Sequence, residues 1–147
     1  MKKCYIASGW FSPEWLEELE AIKKVLDDNG LNYFSPRDEA VAPADASLSL
    51  QDKIFSGNIK GMQDSDWMIC NTRNKDMGSI FEAGYFHCLD RPIVYFCAGL
   101  PEGAKFNLML SASGVTVCTS LEDLDAYIKR SLADGSLAVE MYEGNIE

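Results

Sequence analysis

Apolar positions along this chain follow two rhythms that alternate from end to end. Short uninterrupted runs, Tyr5-Ile6-Ala7, Trp67-Met68-Ile69-Cys70 and Ile93-Val94-Tyr95-Phe96, predict buried strands. Between them Trp15, Leu16, Leu19, Ile22, Val25 and Leu26 recur at helical spacing, and later Leu121, Leu124, Tyr127, Ile128 and Leu132 do the same. Ser12 before Pro13 and Glu14 predicts a helix start, Asn29-Gly30 its stop, and Ser120 the cap of the last helix. The pattern predicts strands over 3–7, 31–34, 66–70, 92–96 and 115–118. It predicts helices over 50–63, 77–89 and 121–132, beside the one that begins at Pro13. Residues 35–49, with Pro36 and Pro43, read as the longest irregular stretch, of a length usually functional or mobile. Strands alternating with helices imply one α/β domain over 1–147, a doubly wound parallel five-stranded sheet with helices on both faces.

Against that frame the stretch from Asn74 to Tyr85 stands out, because it leaves a buried strand and opens a helix. Ligands of open parallel sheets sit at such strand-to-helix turns. Asp76 lies at the mouth of the turn, and Glu82 lies about a turn and a half into the helix. Ile80, Phe81, Ala83, Tyr85 and Phe86 surround Glu82, and a carboxylate buried without partners is costly. Glu82 is therefore paired or chemically active. Ser79-Ile80-Phe81-Glu82 also fits a capping box, in which Glu82 only reaches back to the Ser79 amide. Asp76 is an equally good N-cap, and that start would put Glu82 inside the helix. Structural roles stand beside functional ones elsewhere too: Tyr5 as core packing, Asp76 as a helix cap, Asn107 as the cap of a short segment over 108–111. His87 reads as packing or surface, and Arg37-Asp38 as a lid contact or a solvated turn.

Charge and cysteine content narrow the partners. Twenty-three acidic against 13 basic residues give a formal charge of −10, which repels phosphate backbones and argues against a nucleic-acid polymer. No apolar run approaches the ~20 residues of a membrane helix, and Met1-Lys2-Lys3 leads straight into a strand, so no membrane or export role is expected. Cys4, Cys70, Cys88, Cys97 and Cys118 are scattered and odd in number, which suits reduced thiols and a cytoplasmic setting. With one histidine and no C-x-x-C, no metal site is expected. Gly78 and Gly84 do not form a dinucleotide fingerprint, so no cofactor is expected either.

Several separated stretches resemble the nucleoside 2-deoxyribosyltransferase family. Tyr5-Ile6-Ala7-Ser8-Gly9-Trp10-Phe11 is similar to its opening Y-x-x-x-G-W-F. Asp76 to Tyr85 resembles its D-x-G-x-x-x-E-x-G-Y, Asn107-Leu108-Met109 its N-L-M, and Tyr142-Glu143-Gly144 its Y-E-G. The motifs come in the family's order and span nearly the whole chain. The resemblance implies a flavodoxin-like fold, with Glu82 as the nucleophile at C1′ and Tyr5 holding that carboxylate. It implies that Asp76 serves the departing base, and that Gly9, Trp10, Gly78 and Met109 line the site. Asn107 and the chain end at Glu147 would reach the 5′ side of a sugar in a neighbouring subunit, so a homo-oligomer with shared active sites is implied. Asn58 stands where the family often carries a second base-side acid, and Glu147 where it carries a tyrosine.

The expected activity is exchange of free nucleobases on 2′-deoxynucleosides through a glycosyl-glutamate. A carboxylate near C1′ stabilises and traps an oxocarbenium-like state, and a second acid assists the leaving base. The helix N-terminus is expected to favour the ionised form of Glu82. Two alternatives remain at this level: hydrolysis of a nucleoside or its 5′-monophosphate by the same Glu82, and a binding module without turnover. Because Glu140, Glu143 and Glu147 would face the 5′ end, a free deoxynucleoside is expected to be used at least ~tenfold better than its monophosphate.

Overall fold

A computed structural model describes all residues from Met1 to Glu147. The sheet has five strands: β1 (Lys3–Ala7), β2 (Asn32–Phe34), β3 (Trp67–Asn71), β4 (Ile93–Phe96) and β5 (Thr116–Cys118). All pair in parallel in the order β2-β1-β3-β4-β5. This is the flavodoxin-like order, in which the chain changes winding direction between β1 and β3. The expected fold class is the observed one.

Six helices connect the strands: α1 (Pro13–Asp28), α2 (Pro36–Glu39), α3 (Leu48–Gln63), α4 (Met77–Cys88), α5 (Leu108–Ser113) and α6 (Leu121–Asp134). Strand side chains alternate between faces, and the core divides accordingly. Ile6, Trp67, Ile69 and Val94 pack with Leu19 and Ile22 of α1 and Leu124 and Ile128 of α6. Tyr5, Met68, Cys70 and Tyr95 pack on the opposite face with Met62 of α3 and Ala83 and Phe86 of α4. Every residue of β1 after Lys3 and every residue of β3 is buried, because both faces of these central strands are covered.

Three local readings need correction. Residues 35–49 are not wholly irregular, since Pro36 pre-sets the first turn of α2. The α3 helix begins two residues before the expected Leu50, because the Ser47 hydroxyl accepts from Leu50 N. Leu48 is 82% exposed, so hydrophobic periodicity could not reveal that turn. Finally, α5 runs to Ser113 rather than Ser111. The expected cysteine environment holds in part: Cys4, Cys70 and Cys118 are buried free thiols, while Cys88 is exposed. No helix is long and apolar enough to cross a membrane.

Candidate active site

The carboxyl ends of β1 and β3 meet the N-terminal half of α4. Tyr5 points toward α4 because its neighbours Cys4 and Ile6 occupy the opposite face of β1. Its ring stacks on Phe34 with centroids 5.3 Å apart and planes 11° apart. Thus fixed, the Tyr5 hydroxyl donates to Glu82 Oε1 at 2.9 Å, bridging residues far apart in sequence. Glu82 Oε2 has no hydrogen bond within the chain. One oxygen is held and the other remains available.

Asp76 is the N-cap of α4. Its Oδ2 accepts from Ser79 N at 2.8 Å and from Ser79 Oγ at 2.7 Å. Ser79 is thus satisfied by Asp76, and the capping-box role for Glu82 does not occur. The cap geometry won because a helix starting at Met77 turns Glu82 toward the sheet and Tyr5. Asp76 Oδ1 accepts nothing within the chain. Gly9 allows the approach of the two strand-end turns: a Cβ there would lie 3.0 Å from the Trp15 ring and 3.3 Å from Asp76 Cβ. Gly78 is exposed in the first turn of α4, where a Cβ would stand 3.3 Å from Asp76 Oδ2.

The protonation balance of Glu82 differs from the sequence expectation. Burial pushes its carboxyl up to about 7, the Tyr5 hydrogen bond opposes this by stabilising the ionised form, and the nearby Asp76 charge raises it further. Desolvation outweighs the stabilisation of the ionised form by Tyr5. Burial and the adjacent Glu82 hold the Tyr5 phenol far above its ordinary range, so Tyr5 stays a neutral donor.

The other expected site residues fall into different places. Trp10 is half-buried against the α1–α6 core and beside Phe11, 5.1 Å between centroids. Asn58 lines a groove of about 450 Å³ with Lys3, Lys53 and Ile54, and Phe34, which stacks on Tyr5, forms part of its wall. It does not share a cleft with Glu82. Asn107, Met109 and Glu147 do come together, in a second cleft of about 540 Å³ that contains none of Tyr5, Asp76 or Glu82. Asn107 also caps α5, its Oδ1 accepting from Met109 N and Leu110 N, so the capping role foreseen for it is real. The tail reaches this cleft by pairing with the segment before α5: Phe106 N donates to Asn145 O, Glu147 N to Phe106 O, and Leu108 N to Glu147 O. Tyr142 anchors it by donating to Ala104 O at 2.5 Å, and Gly144 lets the chain fold tightly over the Tyr142 ring.

Two features escaped the sequence reading. Arg73 and Lys75 line the cleft that holds Asn107 and Glu147, where they join Lys105, so the surroundings of the acidic chain end carry several cations. The distance of Arg73 and Lys75 from Lys105 along the chain hides this. The second feature is Glu18, whose side chain is only 9% exposed and which bonds Asn71 Nδ2 at 2.6 Å and Arg73 Nη1 at 2.8 Å. A glutamate on the stripe shared by Trp15 and Ile22 was a legible signal.

Fold and site together define a doubly wound α/β protein with paired carboxylates at its switch point. Residues 4–117 match the family described as Nucleoside 2-deoxyribosyltransferase, and the chain belongs to that family of N-glycosyl-bond enzymes. Among solved structures it is similar to a 2-deoxyribosyltransferase from Bacillus psychrosaccharolyticus, at 26% identity over 95% of this chain and 98% of that one, with a TM-score of 0.78. A conserved protein from Enterococcus faecalis V583 shares the fold at 18% identity over 88% and 98% of the two chains, TM-score 0.72. So does the CMP N-glycosidase BcmB of Clostridium botulinum, at 10% identity over 87% and 99%, TM-score 0.59. No curated protein matches the chain.

Proposed function

We propose that this protein transfers 2-deoxyribose between nucleobases through a covalent bond to Glu82. The observation that carries the reading is the Tyr5–Glu82 hydrogen bond at 2.9 Å, which holds one carboxylate oxygen and leaves the other free, in a chain of this family. Ionised Glu82 attacks C1′ through Oε2, the C1′–N bond breaks, and its electron pair leaves with the base. Asp76 supplies a proton or hydrogen bond to that base through its open Oδ1. In the second half a nitrogen of the incoming base attacks C1′, its proton passes to Asp76, and Glu82 departs as carboxylate. Gly9, Trp10 and Gly78 shape the turns around the sugar and base, and no metal or cofactor takes part.

Asn107, Met109 and Glu147 serve the active site of a second copy, since they lie in a cleft without Glu82. Exposed Met77, Phe55, Phe81 and Met109 supply apolar surface for such an assembly. A stable, active monomer in sedimentation at assay concentration would remove the shared-site reading. In a cytoplasmic setting the reaction would serve recovery of free bases. Asn58, expected on the base side, lies in the groove with Lys53 and Ile54 and has no part in this reading.

A second reading is hydrolysis of a nucleoside 5′-monophosphate by the same Glu82. Lys75 and Lys105 in the Asn107 cleft favour it, because they counter the repulsion expected from the acidic tail. Incubation with a deoxynucleoside or its monophosphate, with and without a second base, separates the readings. A new nucleoside supports transfer, free base and sugar support hydrolysis, and no turnover leaves a binding module. Mass spectrometry of quenched enzyme should find deoxyribose on the peptide containing Glu82, and an unmodified peptide throughout turnover would exclude the covalent route.

A further inference from the structure

The groups assigned to chemistry lie on the α3–α4 side of the sheet, yet the turns that carry them are fastened from the other side. Glu18 projects from α1 to the carboxyl end of β3 and is nearly buried there. One of its oxygens accepts from Asn71 Nδ2 at 2.6 Å and the other from Arg73 Nη1 at 2.8 Å. Asn71 extends the tie in two directions. Its Nδ2 also lies 3.3 Å from Ser8 Oγ, at the carboxyl end of β1, and its Oδ1 accepts from Arg73 N at 3.2 Å. A single carboxylate thus joins the turn after β1 to the turn after β3.

Those two turns are the ones that meet at Asp76. Ser8 precedes Gly9, whose position for a Cβ lies 3.3 Å from Asp76 Cβ. Arg73 lies three residues before Asp76, and between them Lys75 takes a left-handed φ of 50°, unusual for a residue with a side chain. Lys75 N donates to Thr72 O at 3.0 Å, and Thr72 N to Phe96 O at 2.8 Å, so the turn is tight throughout. A tight turn with a residue in a sparsely populated conformation persists only when its surroundings hold it. Glu18 provides that hold with a charge-assisted pair on one oxygen and an amide bond on the other.

The geometry points to Glu18 as a positioning residue, which acts through Asn71 and Arg73 to set where Asp76 presents its open oxygen to the departing base. The inference rests on the proposed glycosyl transfer for its catalytic consequence, but the tie itself is independent of it. Glu18 hydrogen-bonds Asn71 and Arg73 and none of Tyr5, Asp76 or Glu82. Binding should therefore change little, while the rate of base departure should suffer, since a displacement of about 1 Å in a catalytic group can cost up to ~100-fold.

Three measurements test this. First, backbone amide exchange in Glu18→Gln should quicken at residues 72–76 and 8–10 and stay unchanged in the second half of α4. Unchanged protection in both turns overturns the inference whether or not the protein is active. Second, Glu18→Gln should lower kcat roughly 10- to 100-fold with KM within about twofold. Its defect should shrink for deoxynucleosides whose base leaves without a proton, as it should for Asp76→Ala. Third, adding Glu18→Gln to Asp76→Ala should cost little more, because the residue it positions is gone. Additive losses, or equal losses for every leaving group, would reduce Glu18 to a general stability role. If Glu18→Gln does not fold, Glu18→Asp, which keeps the charge but shortens the reach to Asn71 and Arg73, serves the same three comparisons. Inactivity of the unmodified protein on every deoxynucleoside would reject the proposed reaction alone, and the exchange result would still decide the tie.

Discussion

The Tyr5–Asp76–Glu82 site and the Asn107–Glu147 cleft differ in how they are held. The first is made of side chains fixed by the sheet: Tyr5 is fully buried on a central strand, stacked on Phe34, and bonded to Glu82. The second is made of backbone pairing between the tail and the segment leading into α5, with Met109 74% exposed and Lys75 and Lys105 facing open solvent. Rigid elements hold groups that must meet a reacting atom within fractions of an ångström. A tail can serve recognition, where tolerance is greater and a neighbour can complete the fit. The difference predicts that changes in the first region act on kcat and changes in the second on KM.

The strongest way to break that comparison is Glu82→Ala, which should reduce turnover by at least ~10³-fold in a folded protein, as loss of a nucleophile does. Circular dichroism and a thermal melt check the fold, and a folded variant with most of its activity would end the nucleophile assignment. Asp76→Ala should cost roughly 10²-fold, the usual scale of general acid assistance, and the loss should be greatest for bases that leave poorly. Equal losses across a leaving-group series would assign Asp76 to capping alone.

Tyr5→Phe should cost on the order of tenfold, the loss of a hydrogen bond to a charged group. It also sharpens the pH behaviour. With Glu82 at about 7, kcat/KM should fall as pH drops below neutrality, because the nucleophile must be ionised. Tyr5 favours the ionised form, so its removal should move that acid limb to higher pH; a shift downward would contradict the hydrogen-bond geometry.

The same carboxyl makes a stability prediction of opposite sign to the activity effect. Its folded value exceeds its ordinary value of 4.5, so the folded protein binds the proton more tightly and stability is lost as pH rises through about 7. Glu82→Gln should therefore stabilise the protein by about 1–3 kcal/mol at pH ~8.5 and make little difference near pH ~4. Urea titrations at the two pH values decide it. The smallest expected effect belongs to the tail. Tyr142→Phe loses one hydrogen bond to Ala104 O, about 1 kcal/mol, and should raise KM a few-fold with kcat nearly unchanged. A fall in kcat without a change in KM would mean that the two regions are not separable in this way.

Much of this architecture is local and was legible in the residues. Uninterrupted runs such as Trp67–Cys70 mark strands covered on both faces, and Ser12-Pro13 and Ser120 mark helix starts, because caps and periodicity act within a few neighbours. The motif around Asp76 and Glu82 was legible for the same reason, as was the dual possibility of cap or chemistry. Local sequence could not decide between Ser79 and Asp76 as the start of α4, since both can satisfy the same amides. Packing decided it: with β1 beside β3, the Tyr5 hydroxyl meets Glu82 only if the helix begins at Met77. The sum of desolvation and charge at Glu82 was equally out of reach, because it depends on everything within several ångströms and not on the helix terminus alone. Lys75 with Lys105, and Glu18 with Asn71 and Arg73, became neighbours only through the strand order. Sequence by itself determined most of the elements and the residue types of the candidate site, through short-range preferences of backbone and side chain. Tertiary structure decided which carboxylate is held, which is a cap, and which charges share a cleft, because those depend on distances between segments that the chain brings together only when folded.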